Sequence, residues 1–317
     1  MSLFALIICT PSALKDEKSG ASLRVKSIEQ IFLRLNFNIA KVSHDEFKTM
    51  TNHVWDIIVV VSFSSAGSLR QATDQAKWIW FDATDSWHKS RISRFKSGEF
   101  LQLIALVRDK YRLSRSRNID IITFISSDDA QREIKYTKAK TKFVFVVPNH
   151  YERLDQAPAI TARLVFVGDG KYGPNKNAIK FLEKLADLLP NDYKIFLIGR
   201  NLQSKNHKLV KLGFVSDSEL YHERDIHLAP IFSGGGIKNK VAEPLFNNVR
   251  VITTNHGASG LKPHSNLVMK NLPHEFADEI KRQIESTAQP CTQDIHLVDQ
   301  TESLVEFLTN HFPGNRE

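Results

Sequence analysis

The stretch Leu228–Leu261, LAPIFSGGGIKNKVAEPLFNNVRVITTNHGASGL, carries the densest chemistry in the chain. Three successive glycines, Gly234, Gly235 and Gly236, let backbone approach a bulky ligand with no Cβ in the way. Ile237, Val241, Leu245 and Phe246 then recur at helical spacing. A helix starting there aims unpaired N–H groups and the positive end of its dipole at whatever the glycines admit, which makes a phosphate site. Lys238 and Lys240, expected in the first turn, oppose that dipole, so their placement makes sense with an anion between them. Glu243 is placed further along the helix to accept from a ribose or sugar hydroxyl. The same glycines also suit a βαβ unit that only turns tightly, because a lone glycine loop is a weak signal.

A second group follows the apolar run Trp78–Phe81: Asp82-Ala83-Thr84-Asp85-Ser86-Trp87-His88. Parallel sheets place functional groups just beyond strand ends. Asp85 is the first candidate there for a general base that takes a proton from an acceptor hydroxyl, and His88 the second. A loop Asp is also a common turn or cap residue. Earlier, a polar loop containing Ser19 and Gly20 leads to Arg24 at the start of a helical stripe, another place for a phosphate or acceptor contact, or simply an ordinary loop with a solvated Arg. Between Ser86 and Arg117 nine Lys or Arg stand against Glu99 and Asp109, with apolar Phe95 and Phe100–Val107 between them. Basic and apolar residues on one helix suit an anionic membrane surface, or the solvated face of a core helix. Nucleic acid is not expected as a partner, because no aromatic stacking groups are interleaved with the charge.

The elements that must position these groups are strands and helices in alternation. Leu3–Cys9, Phe37–Val42, Asp56–Val61, Trp78–Phe81, Ile119–Ile125 and Phe143–Val147 read as strands, several of them continuous apolar runs typical of strands buried on both faces. A second series begins at Leu164–Val167 and includes Tyr193–Ile198, Val210–Val215 and Val249–Thr253. The expected fold class is α/β with two domains, 1–158 and 159–317, joined by the stretch Tyr151–Ala162; Val298–Phe312 is expected as a terminal helix. With 317 residues and 42% hydrophobic content, two cores can be filled. No apolar run approaches the ~20 residues that span a bilayer. The opening MSLFALIICTP lacks a basic n-region and reads as a buried strand, not a leader. Two cysteines, Cys9 and Cys291, offer neither metal spacing nor a disulfide framework, which suits a reducing cytoplasm. The net charge of +8 favours an anionic partner without naming it.

From Pro230 through Gly234, Gly236, Ile237, Lys238, Lys240, Glu243, Val251, Thr253, Thr254 and Gly257 to Gly260 and Leu261, the central stretch resembles the donor-binding segment of family 4 GT-B glycosyltransferases. It departs from them where Gly235 stands at the first Glu of their Glu-x7-Glu motif, where Pro244 replaces an Ala, and where Asn248-Val249-Arg250 replaces Gly-x-Pro. The resemblance implies two Rossmann-like domains facing a cleft, with the last helix packing back on the first domain. It implies transfer of a sugar from a nucleotide-diphosphate sugar to a carbohydrate, glycolipid or other hydroxyl acceptor, with no cofactor and no metal. Retention of configuration and a setting in bacterial surface polysaccharide or glycoconjugate synthesis, in the cytoplasm or peripherally on the inner membrane face, are expected with it. Asp85 or His88 would act as base, and Ser19, Gly20 and Arg24 would line the phosphate and acceptor loop. Gly168, Lys171, Lys176 and Arg200 would help hold the donor, and Gly213, Phe214 and Val215 would hold its base. The missing Glu, Pro244 and the short chain leave open a non-catalytic binding subunit of a glycosylation complex, and a nucleotide-sugar 2-epimerase, which shares the implied fold, is a second alternative.

Overall fold

The structure is a computed structural model that describes residues 2–15, 19–50, 54–96, 100–115, 119–137, 141–286 and 290–313. Contacts divide the chain into two compact units. The first draws on Met1–His150 and Leu297–Glu317, and the second is Tyr151–His296. The division therefore falls before Tyr151 instead of after residue 158, because residues 151–156 are pinned within the second unit. Leu154 N–H donates to Asn247 Oδ1 at 2.8 Å, and Gln156 Nε2 donates to the Asn247 carbonyl. On the other side of the division, His150 N–H donates to Ser27 Oγ at 2.9 Å in the first unit.

The first unit is a six-stranded parallel sheet in the order β2-β1-β3-β4-β5-β6. Its strands are β1 (Phe4–Cys9), β2 (Asn38–Ser43), β3 (Trp55–Val61), β4 (Ala76–Thr84), β5 (Ile119–Phe124) and β6 (Thr141–Val146). Side chains of a strand alternate between faces, and so two cores form. Leu6, Ile8, Ile58 and Val60 enter one, while Ala5, Ile7, Ile57 and Val59 enter the other. The second of these cores also takes Leu304 and Leu308 from the helix Thr301–His311, which belongs to this unit although it ends the described chain.

The second unit repeats the plan with β7 (Leu164–Val167), β8 (Ile195–Ile198), β9 (Leu209–Gly213), β10 (Ile226–Ala229), β11 (Arg250–Thr253) and β12 (Leu267–Met269), in the parallel order β12-β11-β10-β7-β8-β9. The reversal of order between β7 and β10 puts the ends of those two strands at the switch point, where such sheets bind ligands. The helix Gly173–Leu188 follows β7, starts with Pro174 in its first turn and buries Ile179, Leu182 and Leu185. Its C-terminal carbonyls are satisfied by buried Lys208, whose Nζ donates to Ala186 O at 3.0 Å and Leu189 O at 2.7 Å.

Candidate functional site

At the end of β10 the chain leaves the sheet and forms the glycine loop. Gly234 and Gly236 take φ of +110° and +66°, conformations that an L side chain rarely adopts. The helix then runs Asn239–Phe246, two residues later than the apolar spacing suggests, because Lys238 is its extended N-cap residue with ψ 106°. This moves Lys238 out of the first turn. Its Nζ folds back on the loop, donating to the carbonyl of Gly236 at 2.5 Å, to that of Gly234 at 3.4 Å and to that of Gly235. Ile237 is buried. Pro244 lies inside the helix and is buried with Val241 and Leu245 on its inner face.

Lys240 is placed differently. Its Nζ donates to Asn175 Oδ1 and lies 4.9 Å from the centre of the Phe166 ring. Burial of the ammonium pushes its pKa down from 10.5 to about 8. Asn175 comes from the first turn of the Gly173–Leu188 helix, and its Nδ2 donates to Asp169 O at 2.8 Å. Gly168, just past β7, faces both. A Cβ there would stand 2.8 Å from Asn175 Nδ2 and 3.1 Å from Lys240 Nζ. The arrangement thus brings Gly168, Lys240 and the glycine loop to the ends of β7 and β10. It also brings in Asn175, Tyr172 and His256, which sequence reasoning missed as site residues. The Tyr172 hydroxyl lies 3.5 Å from where a Cβ on Gly234 would be, and His256 Nε2 is 3.0 Å from Gly234 O. Asn175 directly follows Pro174, a residue type that favours a helix start, whereas nothing in local spacing marks Tyr172 or His256.

The remaining donor-side candidates spread along the same sheet edge. Lys171 and Lys176 are exposed. The Lys171 backbone N–H donates to Asp169 Oδ1 at 2.9 Å, the main reason the Asp169 carboxyl titrates below its ordinary 3.8. Arg200 approaches the same carboxylate at 3.7 Å and lies 5.6 Å from the centre of the Phe214 ring. Phe214 is 61% exposed, beside Gly213 with φ +72° and partly buried Val215, so this turn offers an aromatic face to solvent. Glu243 is partly buried, and its charge helps push the Tyr221 phenol upward, second to the phenol's own burial.

In the first unit Arg24 does not line a loop. It is 2% exposed and grips Asp82, which is fully buried, through Nε–Oδ2 at 2.9 Å and Nη2–Oδ1 at 2.6 Å. Its remaining nitrogen donates to Val147 O at 2.7 Å. Thr123 Oγ1 also donates to Asp82 at 2.6 Å and receives Trp80 Nε1 at 2.7 Å. A guanidinium 2% exposed and held by Asp82 and the Val147 carbonyl is not presented to a phosphate. Ser19 is an N-cap in a capping box with Ser22, and Gly20 is the exposed first residue of that helix, Gly20–Arg34.

Asp85 and His88 lie partly exposed beyond β4, where Thr84 turns the chain at φ +60°. Their turn is held by Glu133, unnoticed in the sequence, from the helix Ser127–Thr137. Glu133 Oε2 accepts from Ser86 Oγ at 2.9 Å and from His88 N–H at 3.1 Å. Burial raises the Glu133 pKa, partly offset by these donors.

Two parallel six-stranded α/β sheets in one chain match the GT-B fold of the structures compared below. The family model described as glycosyl transferases group 1 matches residues 144–286, from the end of β6 through the Pro273–Glu285 helix. That segment, which takes in most of the second unit, is therefore similar to the glycosyl transferases group 1 family. Comparison with curated protein sequences gave no match. Among solved structures the chain is similar to HepE of Anabaena in complex with UDP-glucose, at 12% identity and TM-score 0.63, over 96% of this chain and 95% of that one. It is similar to the lipopolysaccharide outer core galactosyltransferase WaaB, at 12% identity and TM-score 0.54, over 90% of each chain. A UDP-GlcNAc 2-epimerase of Methanocaldococcus jannaschii aligns at 9% identity and TM-score 0.51, over 98% of this chain and 100% of that one.

Proposed function

We propose that this glycosyltransferase moves a sugar from a nucleotide-diphosphate sugar to an acceptor hydroxyl, with the diphosphate held at the ends of β7 and β10. The observation that carries the reading is Lys240. Its ammonium is partly buried with an amide oxygen and an aromatic ring as its partners, beside a surface that Gly168 keeps free of side chain. A partly desolvated cation without a carboxylate is costly, and an arriving diphosphate supplies the missing charge. As the sugar–phosphate bond breaks, negative charge grows on the leaving nucleoside diphosphate. Lys240 and the N–H groups that open the Asn239–Phe246 helix stabilise it there. Lys238 joins them by releasing the loop carbonyls. Arg200 and Phe214 present a cation and a ring face to the nucleotide, with Lys171 and Lys176 as outer charges. On the acceptor side Asp85, or His88, takes the hydroxyl proton.

Finer parts of the proposal are metal independence, a retaining outcome, and a setting in bacterial surface polysaccharide or glycoconjugate synthesis at the inner face of the membrane. The lysine charges support the first, the residue pattern of the glycine loop the second, and the likeness to WaaB the third. UDP is the nucleotide to try first, since HepE was crystallised with UDP-glucose and with UDP. A thermal-shift panel of nucleoside diphosphates and nucleotide sugars tests the reading on wild type and Lys240→Ala. A ligand that raises the wild-type melting temperature and leaves the variant unmoved is expected. No shift with any of them removes the donor site from the proposal.

The hold of the loop carbonyls on Lys238 favours a second reading, a binding subunit without transfer. In that case Lys238→Ala leaves the complex's activity unchanged, whereas in the enzyme it abolishes transfer.

A further inference from the structure

The helix Leu101–Arg115 in the first unit turns its apolar side outward. Phe100, Leu101, Ile104 and Val107 are 73%, 76%, 68% and 69% exposed, and Leu103 is 41% exposed. Phe100, Ile104 and Val107 follow helical spacing, so they form one stripe. The inward positions are Gln102, which accepts from Arg91 Nη1 at 2.6 Å, and Leu106. A surface helix normally shows the reverse, with its apolar stripe on the core. Scattered exposed leucines need no explanation, but a contiguous stripe does.

The sequence flanking this stripe is equally one-sided in charge. Residues 86–117 hold nine Lys or Arg against Glu99 and Asp109, an excess of seven in a chain whose whole net charge is +8. The side chains of Lys89, Arg94, Lys96, Lys110, Arg112 and Arg115, and the whole of Arg117, lie outside the described residues. The sequence alone fixes their number and sign. Arg91 and Arg108 are described, the second of them exposed one position after Val107.

We infer that the Leu101–Arg115 helix is a membrane-docking element. Phe100, Leu101, Ile104 and Val107 enter the acyl boundary of a bilayer, and the flanking cations meet anionic lipid headgroups. Apolar side chains supply partitioning, and basic residues bring the helix to a negatively charged leaflet and orient it. Phosphate in solution satisfies the cations but gives the apolar stripe nothing, which is why the occupant is a lipid surface. The inference rests on the membrane part of the reading above and makes that part specific to one helix. It needs no sugar donor.

The experiment is sedimentation of the full chain with vesicles of phosphatidylcholine alone and of phosphatidylcholine with phosphatidylglycerol. It compares wild type with the triple variant Leu101→Ser, Ile104→Ser, Val107→Ser. Wild type should bind the phosphatidylglycerol vesicles, weaken as salt rises, and bind neutral vesicles poorly. The triple variant should lose about ten-fold or more in partitioning. Its melting temperature and nucleotide-induced thermal shift should stay those of wild type, since these side chains contact solvent. A variant that binds vesicles like wild type overturns the inference while leaving membrane attachment through another surface. A wild type that ignores anionic vesicles overturns both. A wild type that ignores vesicles but forms a dimer in solution, which the variant does not, gives the stripe to a second copy and also overturns the inference. Nucleotide binding, measured separately, decides the transferase reading in every case.

Discussion

Arg24 in the first unit and Lys240 in the second each sit on a helix beside a parallel sheet, the first buried and the second partly buried. Arg24 meets a fully buried carboxylate face to face and spends a further nitrogen on the carbonyl of Val147. Lys240 meets the oxygen of Asn175 and the ring of Phe166. The first charge is consumed inside the fold, tying Gly20–Arg34 to β4 and to the chain just after β6. The second is left short of negative charge, and its depressed pKa of about 8 records that shortage. A buried cation with a carboxylate partner reads as structure, whereas one with only neutral partners reads as a place for an anion.

The sharpest way to break this comparison is to remove each cation. Arg24→Ala strands Asp82 in the core, and loss of one partner of a buried ion pair costs about 3–5 kcal/mol. Urea unfolding should show that loss with nucleotide absent, and the mutated chain should be hard to recover folded. Lys240→Ala should move stability by about 1 kcal/mol or less, since a desolvated amine is removed along with its hydrogen bond. Transfer, in contrast, should fall about 10²-fold or more, the usual effect of deleting a donor to developing negative charge. Steady-state rates with the nucleotide sugar found by thermal shift measure it. Equal stability losses in the two variants would erase the distinction.

Next in size is a pH effect peculiar to the second unit. Lys240 titrates near 8 in the folded protein and at 10.5 in the unfolded chain. Between those values the unfolded chain binds more protons, so without ligand this group makes stability rise with pH. An anion prefers the charged lysine and raises its pKa. Nucleoside diphosphate affinity should therefore fall as pH climbs past about 8, by up to about ten-fold per pH unit. Calorimetric titrations at pH 7, 8 and 9 check the slope, and proton uptake on binding above pH 8 is its signature.

The architecture was legible because it rests on runs of apolar residues. Ile57, Ile58, Val59 and Val60 are buried on both faces and could only be a central strand. The glycine loop followed from the same runs, but strand ends did not always: β4 runs on to Thr84, past Phe81, and takes in Asp82, while β9 stops at Gly213, short of Val215. What was not legible is which way a long side chain points. Lys238 and Lys240 are two positions apart, on a segment whose helix starts one residue after Lys238. That offset sends one ammonium to loop carbonyls and the other into the sheet edge. Arg24 looked like a loop cation because Asp82 stands 58 positions away and is brought to it only by sheet pairing. Tyr172, His256 and Glu133 reach their sites from other elements, and no local pattern announces such distant meetings.

The smallest effect sharpens the acceptor side of the comparison. Glu133 and Lys240 are both charges held against burial, but Glu133 is provided with donors from Ser86 and His88. Glu133→Ala removes those bonds at the start of the Trp87–Lys96 helix and relieves the desolvation, so the net stability cost should be about 1 kcal/mol, in the range of a lost helix cap. Glu133→Gln keeps an acceptor oxygen and removes the charge. The folded-state pKa of Glu133 lies above its ordinary 4.5, so the native protein binds more protons there than the unfolded chain. Wild-type stability from this group is complete below pH 4.5 and is lost as pH rises through the folded value. Relative to wild type, Glu133→Gln should thus gain stability with rising pH, a trend that paired thermal melts from pH 4 to pH 8 can follow. If the difference stays flat, the carboxylate is as comfortable in the fold as in water. Glu133 would then resemble Asp82, a charge already satisfied, and Lys240 would be left as the charge that awaits a partner.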